Sequence, residues 1–198
     1  MASVSGEREA APRRRLGRAE RREQILAAAT RAFVREGGYS GTGLDDIARA
    51  AGVSRMILYR HFESKHDLYQ AAIDRAAAGL HGAATGEAGR LGESSVPAMM
   101  AWAGSDPDAF RLMFRHALRE PEFQAEATAI RASMAAALGA QIPSTGTAPA
   151  WERWVARLAT SMVIEGILVW LDEGAPDPED APDRLLRAID GVYQSLPT

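Results

Sequence analysis

A cluster of polar and basic side chains between residues 42 and 65 has the residue types and spacing that suit DNA recognition. Arginine can form two hydrogen bonds with the edge of a guanine, while serine, threonine, tyrosine and lysine commonly bind phosphate oxygens. A helix with such side chains on its outer face can enter a major groove. The predicted DNA contacts are Thr42, Gly43, Ser54, Arg55, Met56, Tyr59, Arg60, His61 and Lys65.

The residues around this cluster predict two short helices joined by a tight turn. Gly52 suits a turn with φ > 0, and Ser54 is a favourable N-cap for the second helix. Ile47 and Ala48 are expected on the inner face of the first helix, where a small residue allows close crossing. The apolar contacts of the second helix are Val53, Leu58 and Phe62. This arrangement is a helix-turn-helix, whose second helix reads DNA.

Two longer runs make the pattern more specific: DIARAAGVS from Asp46 to Ser54, and LYRHFESKHDL from Leu58 to Leu68. Together they closely resemble the N-terminal domain of the TetR family of one-component transcription regulators, over residues 21–69. The resemblance implies an all-helical homodimer with three DNA-binding helices. It also implies a larger C-terminal domain that binds a small ligand and releases the operator, and a phosphate contact for Lys65.

The chain departs from the usual family pattern at two places in the motif. Met56 and Ile57 stand where many relatives have Gly-Thr or Gly-Ala, and Gly43 stands where Thr or Ser is common. The operator sequence therefore does not carry over from relatives. Arg55 is the best candidate for a base contact, and Tyr59 for a phosphate contact.

Composition sets broad limits on the class of protein. The 198 residues are 46% hydrophobic, enough for a small DNA-binding unit and one larger domain. The absence of cysteine excludes disulfides, thiolate catalysis and cysteine-ligated zinc. No apolar run of about 18 residues and no signal-peptide pattern is present, which predicts a cytoplasmic protein without a membrane partner. We predict no metal and no cofactor.

Charge is distributed unevenly along the chain, although the net charge is only −3. Residues 1–66 contain 13 basic and 8 acidic residues, whereas residues 67–198 contain 10 and 18. The first part therefore carries a net +5 and the second a net −8. A basic head on an acidic body is expected when one end of a protein faces DNA. A solvated basic surface without a partner is the alternative.

The periodicity predicts an all-α chain of about nine helices without strands. The expected divisions are a flexible basic tail (1–17), a DNA-binding domain (18–66) and a ligand-binding and dimerisation domain (67–198). Arg13 to Arg15 in the tail either lie along a minor groove or belong to a disordered segment. The expected helices span 18–36, 44–51, 54–62, 65–80, a weak segment broken before Pro97, a helix opening at 106–107, then 121–138, 150–173, and a last helix from 180 or 183 to 196, with a loop at 143–149.

Helix 150–173 is apolar nearly all round, so it must be covered on two sides. A helical wheel separates one stripe, assigned to an internal ligand pocket, from the opposite half, assigned to a partner subunit. The predicted pocket residues are Met99, Trp102, Phe110, Met113, Phe114, Met134, Trp154, Leu158, Met162 and Glu165. The predicted dimer interface comprises Val163, Ile164, Ile167, Trp170, Leu171, Leu185, Ile189 and Val192. A core helix of a monomer is the alternative.

Glu165 stands out in the predicted pocket stripe because a buried carboxylate is costly unless it is paired. It either binds a polar group of the ligand or pairs with an internal arginine such as Arg111 or Arg115. Enzyme signatures are absent: the sequence has no Gly-x-Ser-x-Gly, HExxH or P-loop pattern. The sequence therefore predicts a DNA-binding transcriptional regulator, most consistent with a repressor released from a palindromic operator by a small molecule. The alternative is an all-α small-molecule-binding or catalytic protein that does not bind DNA.

Overall fold

A computed structural model describes residues 17–85, 95–140 and 149–194 of the chain, with Val192 and Tyr193 described by backbone only. Within these ranges the chain is all-α, which confirms the predicted fold class. The helices are α1 (Arg18–Arg35), α2 (Leu44–Ala51), α3 (Arg55–Tyr59), α4 (Lys65–Thr85), α5 (Ser95–Ser105), α6 (Pro107–Arg111), α7 (Gln124–Gly139), α8 (Pro149–Asp172) and α9 (Ala181–Tyr193). The predicted tail, the end of the last helix and most of the predicted 143–149 loop lie outside the described residues.

Local sequence signals account for most of the helix boundaries. Gly43 begins α2 with its N–H donating to the Asp46 carboxylate (3.0 Å), and Ser54 caps α3. The helix α5 forms although it contains Pro97, because proline is tolerated in the first turn of a helix. The helix α7 begins three residues later than predicted, since Pro121 lies in a turn that buries Phe123.

The segment after α6 is irregular, where the sequence pattern predicted one continuous helix. A π-helical turn from Leu112 to His116 is followed by a 3₁₀ turn from Ala117 to Arg119. Such turns change which side chains face the core, and they often occur near functional sites. Here they bring Glu120 to the underside of the helix-turn-helix.

Two hydrophobic cores divide the described residues, and α4 contributes to both. The first core joins α1, α2, α3 and the start of α4, with Leu68 and Ile73 from α4. It also contains Phe123 from the body of the chain, so head and body pack together. The second core joins α5, α6, α8, α9 and the end of α4, with Leu80 from α4. α4 is therefore shared between the two regions, as is the π-helical turn after α6, which places Leu112 in the first core and Met113 in the second.

The helix α8 has the length and composition of a membrane-spanning segment, with a mean hydropathy of 1.5 over its most apolar window. Half of that window is buried inside the fold. Val155, Ala159 and Ile164 are buried against the neighbouring helices. Packing inside the fold thus accounts for the apolar character of α8, as in other central core helices.

Candidate DNA-binding surface and effector cavity

The helix-turn-helix exposes a compact recognition surface on α3. Gly52 makes the turn with φ 64°, a left-handed conformation that favours glycine. Leu58 is buried and holds α3 against the head core. On the opposite side, Met56 is 69% exposed and Tyr59 is 54% exposed. Both side chains face outward from α3, where the sequence placed them.

Arg55 at the start of α3 has a bidentate ion pair with Asp45 on α2. The Nε and Nη2 groups of Arg55 donate to the two carboxylate oxygens of Asp45. This hydrogen bond and the negative charge of Asp45 raise the pKa of the Arg55 guanidinium above its ordinary value. The pair is exposed, so it contributes little to stability, but it fixes the direction of the guanidinium plane. The remaining N–H groups of Arg55 stay available for a base edge.

Two of the predicted DNA contacts are engaged inside the chain. The Thr42 side chain is buried, and its hydroxyl donates to the Gly38 carbonyl (2.6 Å). The Lys65 ammonium donates to the carbonyls of Tyr39 (2.8 Å) and Thr42 (3.2 Å). The buried side chain of Thr42 does not support its predicted DNA contact. Lys65 instead fastens the start of α4 to the loop before α2, with one N–H left for another acceptor.

Other predicted contacts remain on the head surface. The Arg60 side chain is exposed, as is Gly43, and Ser54 accepts a hydrogen bond from the Ile57 N–H (3.4 Å). His61 is half-buried, and its pKa is lowered, first by burial and then by the charges of Arg18, Arg22 and other arginines. A neutral His61 is better suited to hydrogen bonding than to charge pairing with phosphate.

A buried carboxylate connects the head to the body. Glu120 is 6% exposed, and it accepts hydrogen bonds from the Ser40 N–H (3.1 Å) and the Ser40 hydroxyl (2.6 Å). Gly38 passes over it with φ 116°, and an ideal Cβ there would lie 2.5 Å from Glu120 Oε1. Glycine is thus required at residue 38 both for its backbone conformation and for this close approach.

Further contacts strengthen the same junction. The rings of Tyr39, Tyr69 and Phe123 are packed together, with the Tyr69 and Phe123 centroids 4.5 Å apart. Burial raises the pKa of Tyr69 well above its ordinary value. Arg75 on α4 pairs with Glu23 on α1 (3.4 Å) and Asp106 before α6 (2.8 Å). Head and body are therefore joined by apolar packing, ion pairs and hydrogen bonds.

A cavity of about 810 Å³ opens between the second half of α4, the start of α5, α7 and α8. This volume is within the usual range of small-molecule sites. Two of the predicted pocket residues, Met99 and Met134, line it. The full lining among the described residues is Ala77, Leu80, His81, Ala84, Thr85, Ser95, Val96, Met99, Glu126, Ala129, Ile130, Ser133, Met134, Ala137, Leu138, Ala140, Thr160 and Val163.

The other predicted pocket residues lie elsewhere. Trp102, Phe110, Met113 and Phe114 belong to the second core and do not line the cavity. On α8, Trp154 is 45% exposed, and Leu158 and Met162 are half-buried outside the cavity lining. Glu165 is exposed and accepts a hydrogen bond from Arg131 on α7 (2.8 Å). The assignments on α8 were wrong because the helical wheel separates two faces of that helix without telling which one points inward.

The predicted dimer face of α8 is the face that packs inside the chain. Ile167 is completely buried, and Trp170 donates from its indole N–H to the Pro176 carbonyl (2.8 Å). Val163, Ile164, Leu171, Leu185 and Ile189 also contribute to the second core, while the Val192 side chain lies outside the described part. Val163, Ile164, Ile167, Leu171 and Ile189 are buried and not available to a partner, so the prediction is corrected for these five side chains. Trp170 and Leu185 are half-buried. The opposite stripe of α8, with Trp151, Trp154 and Val169, is exposed.

Arg111 and Arg115, expected as partners of Glu165, bind Asp172 at the end of α8. Arg115 donates to the Asp172 carboxylate at 2.7 Å, and Arg111 at 3.3 Å. The hydrogen bond from Arg115 lowers the pKa of Asp172 and raises that of Arg115. This cluster fastens the π-helical segment to α8.

Sequence reasoning did not select Ser40, Asp45, Glu120 or Glu126 as functional candidates. Their partners are distant in sequence, as in the 80-residue separation of Ser40 and Glu120. The one available signal was the run of charged residues around Glu120, on a segment whose periodicity predicted an apolar helix.

The exposed α3 surface, on a helix-turn-helix head joined to an all-helical body with a cavity, defines a DNA-binding transcriptional regulator. Residues 25–72 match the family model described as bacterial regulatory proteins, tetR family. The chain is 31% identical over 189 residues to the HTH-type transcriptional activator FasR of Mycolicibacterium smegmatis, covering 91% of this chain and 83% of that protein. The chain belongs to the TetR family.

Further similarities are of two kinds. The HTH-type transcriptional regulator TtgR of Pseudomonas putida is 49% identical over 55 residues, or 28% of this chain and 26% of that one. A TetR-like transcriptional regulator from Rhodococcus sp. RHA1 superposes with a TM-score of 0.74 at 21% identity, covering 91% of this chain and 97% of that one. The first similarity is confined to a segment about the length of the head, and the second shows the fold of the whole chain.

Proposed function

We propose that this regulator is a ligand-responsive repressor that binds a palindromic operator as a homodimer and releases it when a small molecule fills the 810 Å³ cavity. The observation that carries the proposal is the position of α4. Leu80 and Ala84 at its end line the cavity, while Leu68 and Ile73 near its start belong to the head core. A ligand that displaces the end of α4 therefore acts on the helix-turn-helix.

The mechanism rests on the spacing of two recognition helices. A dimer reads a palindrome only when its two α3 helices enter successive major grooves, about 34 Å apart. A ligand shifts this equilibrium by as much as it prefers the state with the wrong spacing. The Glu120–Ser40 and Arg75 contacts support the proposal, because they join the head to the body that holds the ligand.

The outer stripe of α8 is the proposed dimer contact. Trp151 and Trp154 make an edge-to-face contact with ring centroids 4.7 Å apart and are almost half-exposed, and Val169 is 59% exposed. Large apolar side chains on one helix face favour association with a second copy across a two-fold axis.

The alternative is that the regulator activates transcription and responds to the same ligand. FasR, which this chain matches over 83% of its length, is named a transcriptional activator. Whether a bound dimer blocks or assists transcription depends on where its operator lies relative to the promoter. A reporter assay with the operator placed at its natural distance distinguishes the two, since deletion of the regulator raises expression under repression and lowers it under activation.

A role on operator DNA supports a cytoplasmic location, and this role needs binding without catalysis. The opposing function is an all-α protein that binds or transforms a small molecule without DNA. Selection of bound duplexes from a random library tests both. Enrichment of a palindrome, followed by compounds that raise the melting temperature and release that duplex, supports the proposal. Failure to retain any duplex at low salt favours the opposing function.

A further inference from the structure

The polar groups of the cavity limit the chemistry of its ligand. Twelve of the eighteen lining residues are apolar, so most of a bound molecule would contact hydrocarbon. Neither lysine nor arginine is among the lining residues that the structure describes. Glu126 supplies a carboxylate instead, and His81 lies at the exposed rim. The described part of the lining therefore offers no fixed cation to an acidic ligand.

Three of the four hydroxyl side chains in the described lining donate to backbone carbonyls; the fourth is Ser133. Thr85 donates to the His81 carbonyl (2.8 Å), Ser95 to the Ala84 carbonyl (2.5 Å), and Thr160 to the Ala156 carbonyl (2.8 Å). A hydroxyl that donates in this way can still accept through its oxygen. The wall thus presents mainly hydrogen-bond acceptors to a ligand.

Glu126 is the acceptor with the strongest attraction for a donor. It is half-buried near the start of α7, and one of its oxygens accepts a hydrogen bond from the Gln70 amide (2.7 Å). A carboxylate has about four lone-pair sites, so Glu126 retains room for a ligand donor. Because Gln70 lies on α4, a group bound to Glu126 would also alter a contact of the helix that leads to the head.

We propose that the effector has an apolar body and an amine or hydroxyl head, that Glu126 binds this head, and that carboxylic acids of the same shape are excluded. The proposal rests on the effector function assigned above to the same cavity. An amine forms a charge-assisted hydrogen bond with Glu126, and an alcohol forms a weaker one. A carboxylate meets repulsion from Glu126 and an excess of acceptors.

Three amphiphiles with the same twelve-carbon chain test the proposal: dodecylamine, 1-dodecanol and dodecanoate, each kept below its aggregation concentration. Their affinities for the full-length protein are measured by calorimetry, and the release of a selected operator by fluorescence anisotropy. Dodecylamine should bind most tightly and dodecanoate at least about tenfold more weakly, the effect of one charge-assisted hydrogen bond. Glu126→Gln should remove most of the amine's advantage.

Glu122→Gln is the matched control, because it removes the same charge four residues earlier in the chain, at an exposed position outside the cavity lining. It should leave the order of affinities unchanged. The comparison within the wild-type protein decides the ligand class even if Glu126→Gln folds poorly.

The possible results separate the ligand class from the effector function. If dodecanoate binds as tightly as dodecylamine or more tightly, the proposed ligand class is wrong. If dodecanoate also releases the operator, the proposed effector function still holds. Binding in the predicted order without operator release would support the ligand class and contradict the effector function. The ligand class would also be wrong if Glu122→Gln reduced the affinity difference between dodecylamine and dodecanoate as much as Glu126→Gln does. Failure of all three amphiphiles to bind would overturn it as well.

Discussion

At the scale of single residues, the pair of Arg55 and Asp45 determines how the head can read DNA. The carboxylate holds the guanidinium in one plane while leaving N–H groups for a base. A negative charge beside the DNA backbone also weakens binding to any sequence. Asp45 therefore favours specific over non-specific binding, because it orients Arg55 for a base and repels the backbone of any duplex.

Substitution of either member of the pair should change specificity in a characteristic way. Arg55→Ala should cost about 1–3 kcal/mol on the operator and much less on random duplexes. Asp45→Asn should strengthen binding to random DNA and thereby lower the ratio of specific to non-specific affinity. Anisotropy titrations with both duplexes measure this ratio. If Arg55→Ala lowered the affinity for both duplexes by the same factor, Arg55 would not contact a base.

His116 should make the stability of the protein depend on pH. It is half-buried beside the junction, and burial lowers its pKa below 6.5 in the folded state, despite a hydrogen bond to the Gly37 backbone. As the pH falls through 6.5, the unfolded chain takes up the proton before the folded protein does, so stability is lost until the folded pKa is reached.

Denaturant unfolding at pH 7 and pH 5 tests this effect. The free energy of unfolding should fall more for the wild type than for His116→Gln, which can still donate to the Gly37 carbonyl but does not titrate. Other groups contribute equally to both proteins. Identical losses in the two would show that His116 does not control the acid response.

At the scale of elements, the loop before α2 is tied to the body by the Ser40–Glu120 contact. Ser40→Ala leaves Glu120, which is buried, with one hydrogen bond fewer. The cost to stability should be about 1–3 kcal/mol. The factor by which an effector weakens operator binding should shrink as well, since the head is less firmly joined to the body.

Ser40→Thr retains a hydroxyl at the same position and serves as the control. It should restore both the stability and the response to the effector. If Ser40→Ala lowers the melting temperature while its response to the effector stays complete, Ser40 has a structural role only.

The two faces of α8 should respond differently to charge. Ile167 is fully buried, so Ile167→Glu should unfold the chain, because burying this side chain is worth about 1.5–3 kcal/mol and an unpaired carboxylate adds a further cost. Val169→Glu, on the exposed stripe, should leave the helix content intact and dissociate the proposed dimer. Sedimentation and circular dichroism separate these outcomes. A Val169→Glu protein that stays dimeric would place the interface elsewhere.

At the scale of the whole molecule, the sequence predicted the elements better than their orientation. The cap at Ser54 and the turn at Gly52 were predictable because they depend on neighbouring residues. The orientation of α8 was not, since its two apolar faces are chemically alike and the choice depends on packing against α5, α7 and α9. The π-helical turn after α6 changes register without a local signal, and this turn places Glu120 beneath the head.

In the proposed function, the cavity and the recognition surface are thermodynamically linked. Linkage requires that a ligand which weakens operator binding by some factor is itself bound more weakly, by the same factor, to the protein–operator complex. Calorimetry with the strongest ligand found for the cavity should give a higher Kd for the complex than for the free protein. That ratio should equal the ratio of operator Kd values with and without ligand. The same ligand Kd for the free protein and for the complex would show that the cavity and the recognition surface are not linked.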